Sequence, residues 1–432
     1  MIPNRNLTSI FFAILIILSV FSFLPSQASA ADELIFTVDS TLDQVDFAAN
    51  SVCSVGQPTG GPCTLRAAIS EANANIHHSA VTILVPPGLY KLTIPPSLPD
   101  SNNHGDLNIN ATTSTNLITI KAIQKGTVTI TPDTGLNDRI LEVGWNSNVA
   151  IRGINFTGAA LILGPSETGG GAILNFGNLT LEGTVFQDNS VVCVPAGGCE
   201  NNLNGGAILN YDNLSIKDSS FIHNTAERGW AIFNAGGPSI CNITHSSFTQ
   251  NTGVIGTITN YATLSMTNST MSGNFASSWM AGIVNDGLGQ LYLQSCTLAN
   301  IGDLSSIFNT ATVNVGDNIF AAQPEMNNFY SIEGTWNSLG YNIFSDASWP
   351  AALSAGDLLN TNPMLGNLGT YGGATLTHSL LRGSPAVNHR PGRCFTILYP
   401  IEDDQRHQAR VDGSCDSGAF ELGHFYLPVI LR

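Results

Sequence analysis

Positive charge is scarce in this chain of 432 residues: 15 Lys and Arg stand against 31 Asp and Glu, and from Gly229 to Leu381 there is neither a lysine nor an arginine. Nucleic acid and anionic lipid are gripped by clustered cations, so neither is expected as a partner. Long apolar runs are missing as well. After Leu24 nothing approaches the ~20 residues that cross a bilayer, so no transmembrane segment is expected in the mature chain. No Cys-x-x-Cys pair or Cys/His cluster has zinc spacing, and no metal or cofactor is expected. Charged residues make up only 11%, yet 43% of residues are hydrophobic, which argues for an ordered core rather than a disordered chain.

The chain opens with Arg5, an apolar run from Leu7 to Leu24, and Ala28 and Ala30 at small-residue positions before polar Asp32 and Glu33. This is the pattern of a secretory signal peptide over residues 1–30, cleaved after Ala30. The mature chain is therefore expected outside the cytoplasm, secreted or on a cell surface.

Within it, GGAILNFGNLTLEGTVFQDN from Gly170 returns as GGAILNYDNLSIKDSSFIHN from Gly205. Further copies follow from Trp230, Gly256, Ala281 and Ser306. An Ile-x-Asn pair recurs as Ile173 and Asn175, Ile208 and Asn210, Ile232 and Asn234, Ile258 and Asn260, Ile283 and Asn285, and Ile307 and Asn309; after the first step the spacing is 24 to 26. Next comes an alternating apolar pair, such as Leu179 and Leu181, and five residues on a large apolar residue: Phe186, Phe221, Phe248, Met271, Leu298 or Phe320. A fainter copy holds Val149, Ile151 and Phe156.

Alternation with period two means strand, and no repeat carries the continuous 3.6-residue period of a helix. A coil of two dozen residues with two or three short strands is the signature of a parallel β-helix. The expected fold is all-β: a right-handed parallel β-helix over 81–345 of roughly 11 coils, an N-terminal cap over 31–80, a loop-rich C-terminal region over 346–423, and a short apolar tail over 424–432. Equivalent positions then stack about 4.8 Å apart. The six asparagines should form a hydrogen-bonded ladder, and Asn tolerance of left-handed turns is the reason expected for their position. A column of small side chains, Thr184, Ser219, Ser246, Ser269, Cys296 and Asn318, should mark another corner.

A solenoid needs its ends covered. The best helix candidate is CTLRAAISEANAN from Cys63, with Thr64 as N-cap and Leu65, Ala68, Ile69 and Ala72 on the apolar face. Eight cysteines suit an oxidising compartment. Local pairs Cys53 with Cys63, Cys193 with Cys199, and Cys394 with Cys415 are expected. Cys241 and Cys296 fall two coils apart, beyond disulfide reach, and should be buried thiols.

CTLRAAISEANAN resembles the N-terminal region named for its Cys-Ser-Leu-Arg-Glu-Ala motif in exported bacterial surface proteins, with Thr64 for Ser and Ala67 for Glu. The GGAIL elements, with FQDN, FIHN and FTQN, are similar to repeats of polymorphic outer-membrane proteins and related β-helix adhesins. NPMLGNLGTYGGATLTHSLLRGSPAVN from Asn362 and DDQRHQARVDGSCDSGAFE from Asp403 resemble the choice-of-anchor Q region of such proteins, with Asn362 where Asp is usual and His407 where Gly is usual. The resemblance touches most of the mature chain. It implies a surface-exposed or secreted β-helix, and it brings no catalytic residues.

Parallel β-helices also include polysaccharide lyases and hydrolases. Lyase chemistry needs a cationic base, which coils without Lys or Arg do not supply; hydrolysis needs convergent carboxylates. Asp188, Asp212, Asp218, Asp286 and Asp317 are read as solvated turn residues at dissimilar positions. The densest polar cluster, Asp403, Asp404, Arg406, His407 and Arg410, is read as pairing within the C-terminal cap. The function expected is therefore structural or adhesive, with no catalytic residues, an extracellular glycan or protein as ligand, and a monomeric chain; the alternative is an extracellular polysaccharide-degrading enzyme.

Overall fold

A computed structural model describes residues 33–423 apart from 98–100, 112–115, 164–167, 194–202, 281, 301–304, 324, 332, 395–399 and 411–412. The signal peptide with its cleavage after Ala30, Cys199, and the tail 424–432 lie outside the described residues. One coil shows how the chain is wound. Its strands are Ile173–Asn175, Asn178–Glu182, Val185–Gln187 and Ser190–Cys193. Each pairs in parallel with its counterpart one coil later, in sheets of nine, eleven, ten and five strands. The fold is a parallel β-helix.

Alternation sends Leu179 and Leu181 inward and leaves Thr180 between them half-buried. Ile173, Ile208, Ile232, Ile258, Ile283 and Ile307 pair in direct succession and are fully buried, so the expected file exists. The large apolar residues form a second file, in which the rings of Phe156, Phe186, Phe221 and Phe248 stack at 5.1, 4.9 and 4.7 Å. Burying such a side chain contributes roughly 1.5–3 kcal/mol. One coil alone buries little, and the array as a whole makes the core.

The ladder asparagines are not left-handed, contrary to the reason expected for them: each ends a strand, and none has positive φ. Left-handed residues stand instead at two other corners. Just before the small-residue column they are Gly183, Asp218, His245, Asn268, Ser295 and Asp317, with φ from 46° to 62°, and at the next corner they include Asp188, His223, Gln250 and Gly273, with φ from 54° to 65°. A sharp corner between two strands needs that conformation, which glycine adopts freely and the others adopt at some cost.

The longest sheet starts earlier than 81. Glu33–Thr37 pairs with Ala80–Val85, and ten strands of this sheet lie between 80 and 345 against the eleven coils expected. Helix α1, Leu65–Ala74, is set between the first two strands of that sheet. Thr64 caps it by accepting a hydrogen bond from the Ala67 amide, and Leu65, Ala68, Ile69 and Ala72 pack into the main core with Val81 and Ile83.

At the other end Trp349 closes the bore, stacked on Phe344 at 5.1 Å and edge-on to Phe329 and Trp336. The chain then folds back. A hairpin of Leu365–Gly369 and Thr377–Leu380, and the segment 401–422, lie along the outside of the ten-stranded sheet. The C-terminal region is thus a flank along the coils, preceded by an end cover made of Trp349 and the segment 354–361, in which Leu358 bridges Ile343 in parallel. Outward residues of the covered strands are small or hydroxylic (Ser247, Thr249, Thr270, Ser272, Thr297 and Ala299), and all are buried, whereas Val185, Gln187, Ser220 and Ile222 on earlier coils are not.

Candidate functional site: the seam between array and flank

Polar columns run the length of the array. Asn175, Asn210, Asn234, Asn260, Asn285 and Asn309 are joined by amide-to-carbonyl bonds of 2.7–2.8 Å. A second ladder, Asn189 to Asn224 to Asn251 to Asn274, has bonds of 2.9–3.0 Å, and each Nδ2 of Asn224 and Asn251 also donates to a phenylalanine carbonyl of the previous coil. Sequence reasoning missed it, although its members close FQDN, FIHN, FTQN and MSGN. In the small-residue column, the amides of Ser219 and Ser246 donate to the hydroxyls of Ser246 and Ser269. These side chains are spent on one another, and ligands find few of them free.

Two cysteine pairs form as expected, Cys53 with Cys63 and Cys394 with Cys415, with Cα atoms 5.1 and 5.4 Å apart. The third expected pair needs Cys199, which is outside the described residues. Cys241 and Cys296 are buried free thiols, and burial pushes both up to about 12.

Of the acidic turn residues, Asp188 is exposed as expected and Asp212 and Asp286 are half-buried, while two depart from expectation. Asp218 and Asp317 share the left-handed corner column, and Asp317 is fully buried rather than solvated. Gln294 donates to it at 2.7 Å and Arg390 from the flank pairs with it. Coils without Lys or Arg therefore receive their cations from the flank. Arg410 does the same: it donates to Asn268 Oδ1 at 2.9 Å, to Glu421 Oε2 at 3.1 Å and to the carbonyls of Asp403, Asp416 and Gly418. Arg406 pairs with Asp404 at 2.6 Å and lies over the Phe420 ring at 3.6 Å.

The histidines complete the seam. His407 reaches Asp403 with Nδ1 and Asp218 with Nε2, each at 2.7 Å, and Asp403 also meets His245 Nε2 at 3.0 Å. Burial alone would raise the Asp403 carboxyl, but the hydrogen bonds of His245 and His407 hold it down at about 2. For His407 burial works downward and is outweighed by Asp403 and Asp218, which raise it above the ordinary 6.5. One donor atom each of Asp218, His245 and His407 lies within 4.8 Å of the other two. A cation is a poor fit there: the two imidazoles are stacked at 4.3 Å and 23°, so their in-plane lone pairs run side by side instead of meeting at one point.

The seam also contains a serine–histidine contact. Ser272 Oγ lies 2.9 Å from His378 Nε2, and His378 Nδ1 lies 2.8 Å from the Gly366 carbonyl. Burial lowers the His378 pKa, which favours the neutral base. Both residues border a cavity of about 770 Å³ with Asn300, Asn360, Asn362, Asn367 and Asp346. Yet Ser272 is 3% and His378 5% exposed, and Asp346 is held by Asn328 and Ser348. These contacts fasten the hairpin to the sheet and spend Ser272, His378 and Asp346, while Glu325, also bordering the cavity, is exposed to solvent.

Arg66 at the front end was also missed. Its guanidinium, 0% exposed, meets Asp43 twice and the carbonyls of Asn102, Gly105 and Asp106. It ties α1 to two loops.

No protein-family model matches the chain, and no curated protein matches it. Among the described residues no helix is long and apolar enough to cross a membrane. The two cysteine pairs fit an oxidising, extracytoplasmic setting.

Proposed function

We propose that the protein is an exported β-helix of the cell surface or extracellular space, with a structural and adhesive role and no catalytic activity. One observation carries this reading: polar groups that resemble catalytic parts are consumed in holding the chain together. Asp218, Asp317, Asp403 and Asp404 each face a cation or histidine of the seam, and the Ser272–His378 contact is shut off from solvent. Hydrolysis of a polysaccharide would need a pair of unspent carboxylates converging on one substrate-sized space. Support for export comes from the leader-like residues 1–30 and from the oxidised cysteine pairs.

The chain's acidic balance suits a basic protein partner, and asparagines exposed outside the ladders, such as Asn178, Asn213 and Asn242, suit a neutral glycan. Screening the mature chain on a glycan array, alongside a reducing-sugar release assay, tests the proposal. Binding without release is expected. Release of reducing ends would overturn the non-catalytic reading, and absence of binding to glycans and to cells would overturn the adhesive one.

A further inference from the structure

His407 is held in an arrangement that only one of its protonation states satisfies. A neutral imidazole has one N–H and one lone pair, whereas the imidazolium has two donors. Carboxylates stand 2.7 Å from both ring nitrogens, Asp403 on the flank and Asp218 on the array. The neutral ring would therefore turn a lone pair toward one carboxylate, losing a charge-assisted bond and gaining a repulsion. With 39% of its side chain exposed, His407 exchanges protons without unfolding the protein.

We propose that His407 is a proton-operated clasp: protonated, it bridges Asp403 of the flank and Asp218 of the array and holds this end of the flank down, and deprotonated, it lets that end loosen. Other contacts also cross the seam here, so losing the His407 bridge loosens this end of the flank without releasing it. From the next coil His245 stacks on it and bonds Asp403, and Arg410 donates only to the Asp403 carbonyl and to Asn268 at this point. Because the folded pKa of His407 is raised, its contribution is full below about 6.5 and fades as pH climbs through the raised value. Asp403, lowered to about 2, contributes above its ordinary 3.8 and is lost only in strong acid. The clasp is thus tightest in mild acid, between these limits. His378, buried, and His389, half-buried, lie elsewhere in the flank with pKa values lowered by desolvation; they act with the opposite sign and favour docking as pH rises.

Hydrogen exchange of the full mature chain at about pH 5.5 and about pH 8.5, corrected for intrinsic rates, separates the two signs when wild type is compared with His407→Gln. Peptides spanning 403–410 should lose roughly two- to fivefold of their protection at the higher pH in wild type, as fits a partly exposed ion pair. His407→Gln should show no such loss. Equal protection at both pH values in wild type, or an equal loss in the variant, overturns the clasp. Should the variant fail to fold, proton NMR titration of His407 in wild type decides. A midpoint above that of the denatured chain upholds the proposal, and one at or below it overturns it.

Discussion

The array and the flank are two parts of one chain held by opposite means. In the array equivalent positions meet one coil away, often like on like: isoleucine on isoleucine, ring on ring, amide on amide. In the flank no position repeats, and many of the contacts that fix it cross more than a hundred residues, as with Asn268 and Arg410, Thr270 and Gln405, or Ser272 and His378. Apolar columns are indifferent to pH and little affected by salt; charged contacts between separate segments respond to both. A single chain thereby carries a rigid rod and a fastening that solution conditions can alter.

Breaking an apolar column should have the largest effect. Phe221→Ala removes a fully buried ring from between two others, and a loss of about 3–5 kcal/mol is expected, read as a fall in the thermal midpoint of the whole array. Arg410→Ala strips the flank of a buried cation whose side chain is 2% exposed and removes the ion pair with buried Glu421; about 3 kcal/mol is expected, confined to the flank. Loss of exchange protection in 401–422, with the array's midpoint nearly unchanged, would sharpen the contrast. Asn234→Ala takes one acceptor from Asn210 and one donor from Asn260, at a cost of about 1–3 kcal/mol in a denaturant melt. The smallest effect concerns the thiols: Cys241 and Cys296 should resist alkylation in the native protein and react only after unfolding, since burial suppresses the thiolate.

The same contrast governs what could be read from the residues alone. Columns are visible because a coil must repeat what its neighbour offers, so Ile173 and Asn175 announce Ile208 and Asn210. The conformation at the corners was harder to place, because a left-handed corner accepts Gly183, Asp218, His245 and Ser295 alike and leaves no residue signature. Nothing local in Asp403 or His407 names Asp218, which lies 189 residues from His407. The flank's path along the coils left one faint trace, the run of hydroxyl and small residues at Ser247, Thr270, Ser272 and Thr297, which is meaningful only once the strands are stacked. Arg66 belongs to the same class, since its carbonyl partners at Asn102, Gly105 and Asp106 belong to a loop with no pattern of its own.

The division between rod and fastening is tested most directly by hydrogen exchange of the intact mature chain at low and at high ionic strength. Amides of the Ile208, Ile232 and Ile258 strands should keep their protection in both, while those around Asp403 and His407 should lose part of theirs as salt screens the partly exposed His407 contacts. Array and flank losing protection together, or neither responding to salt, would contradict the division.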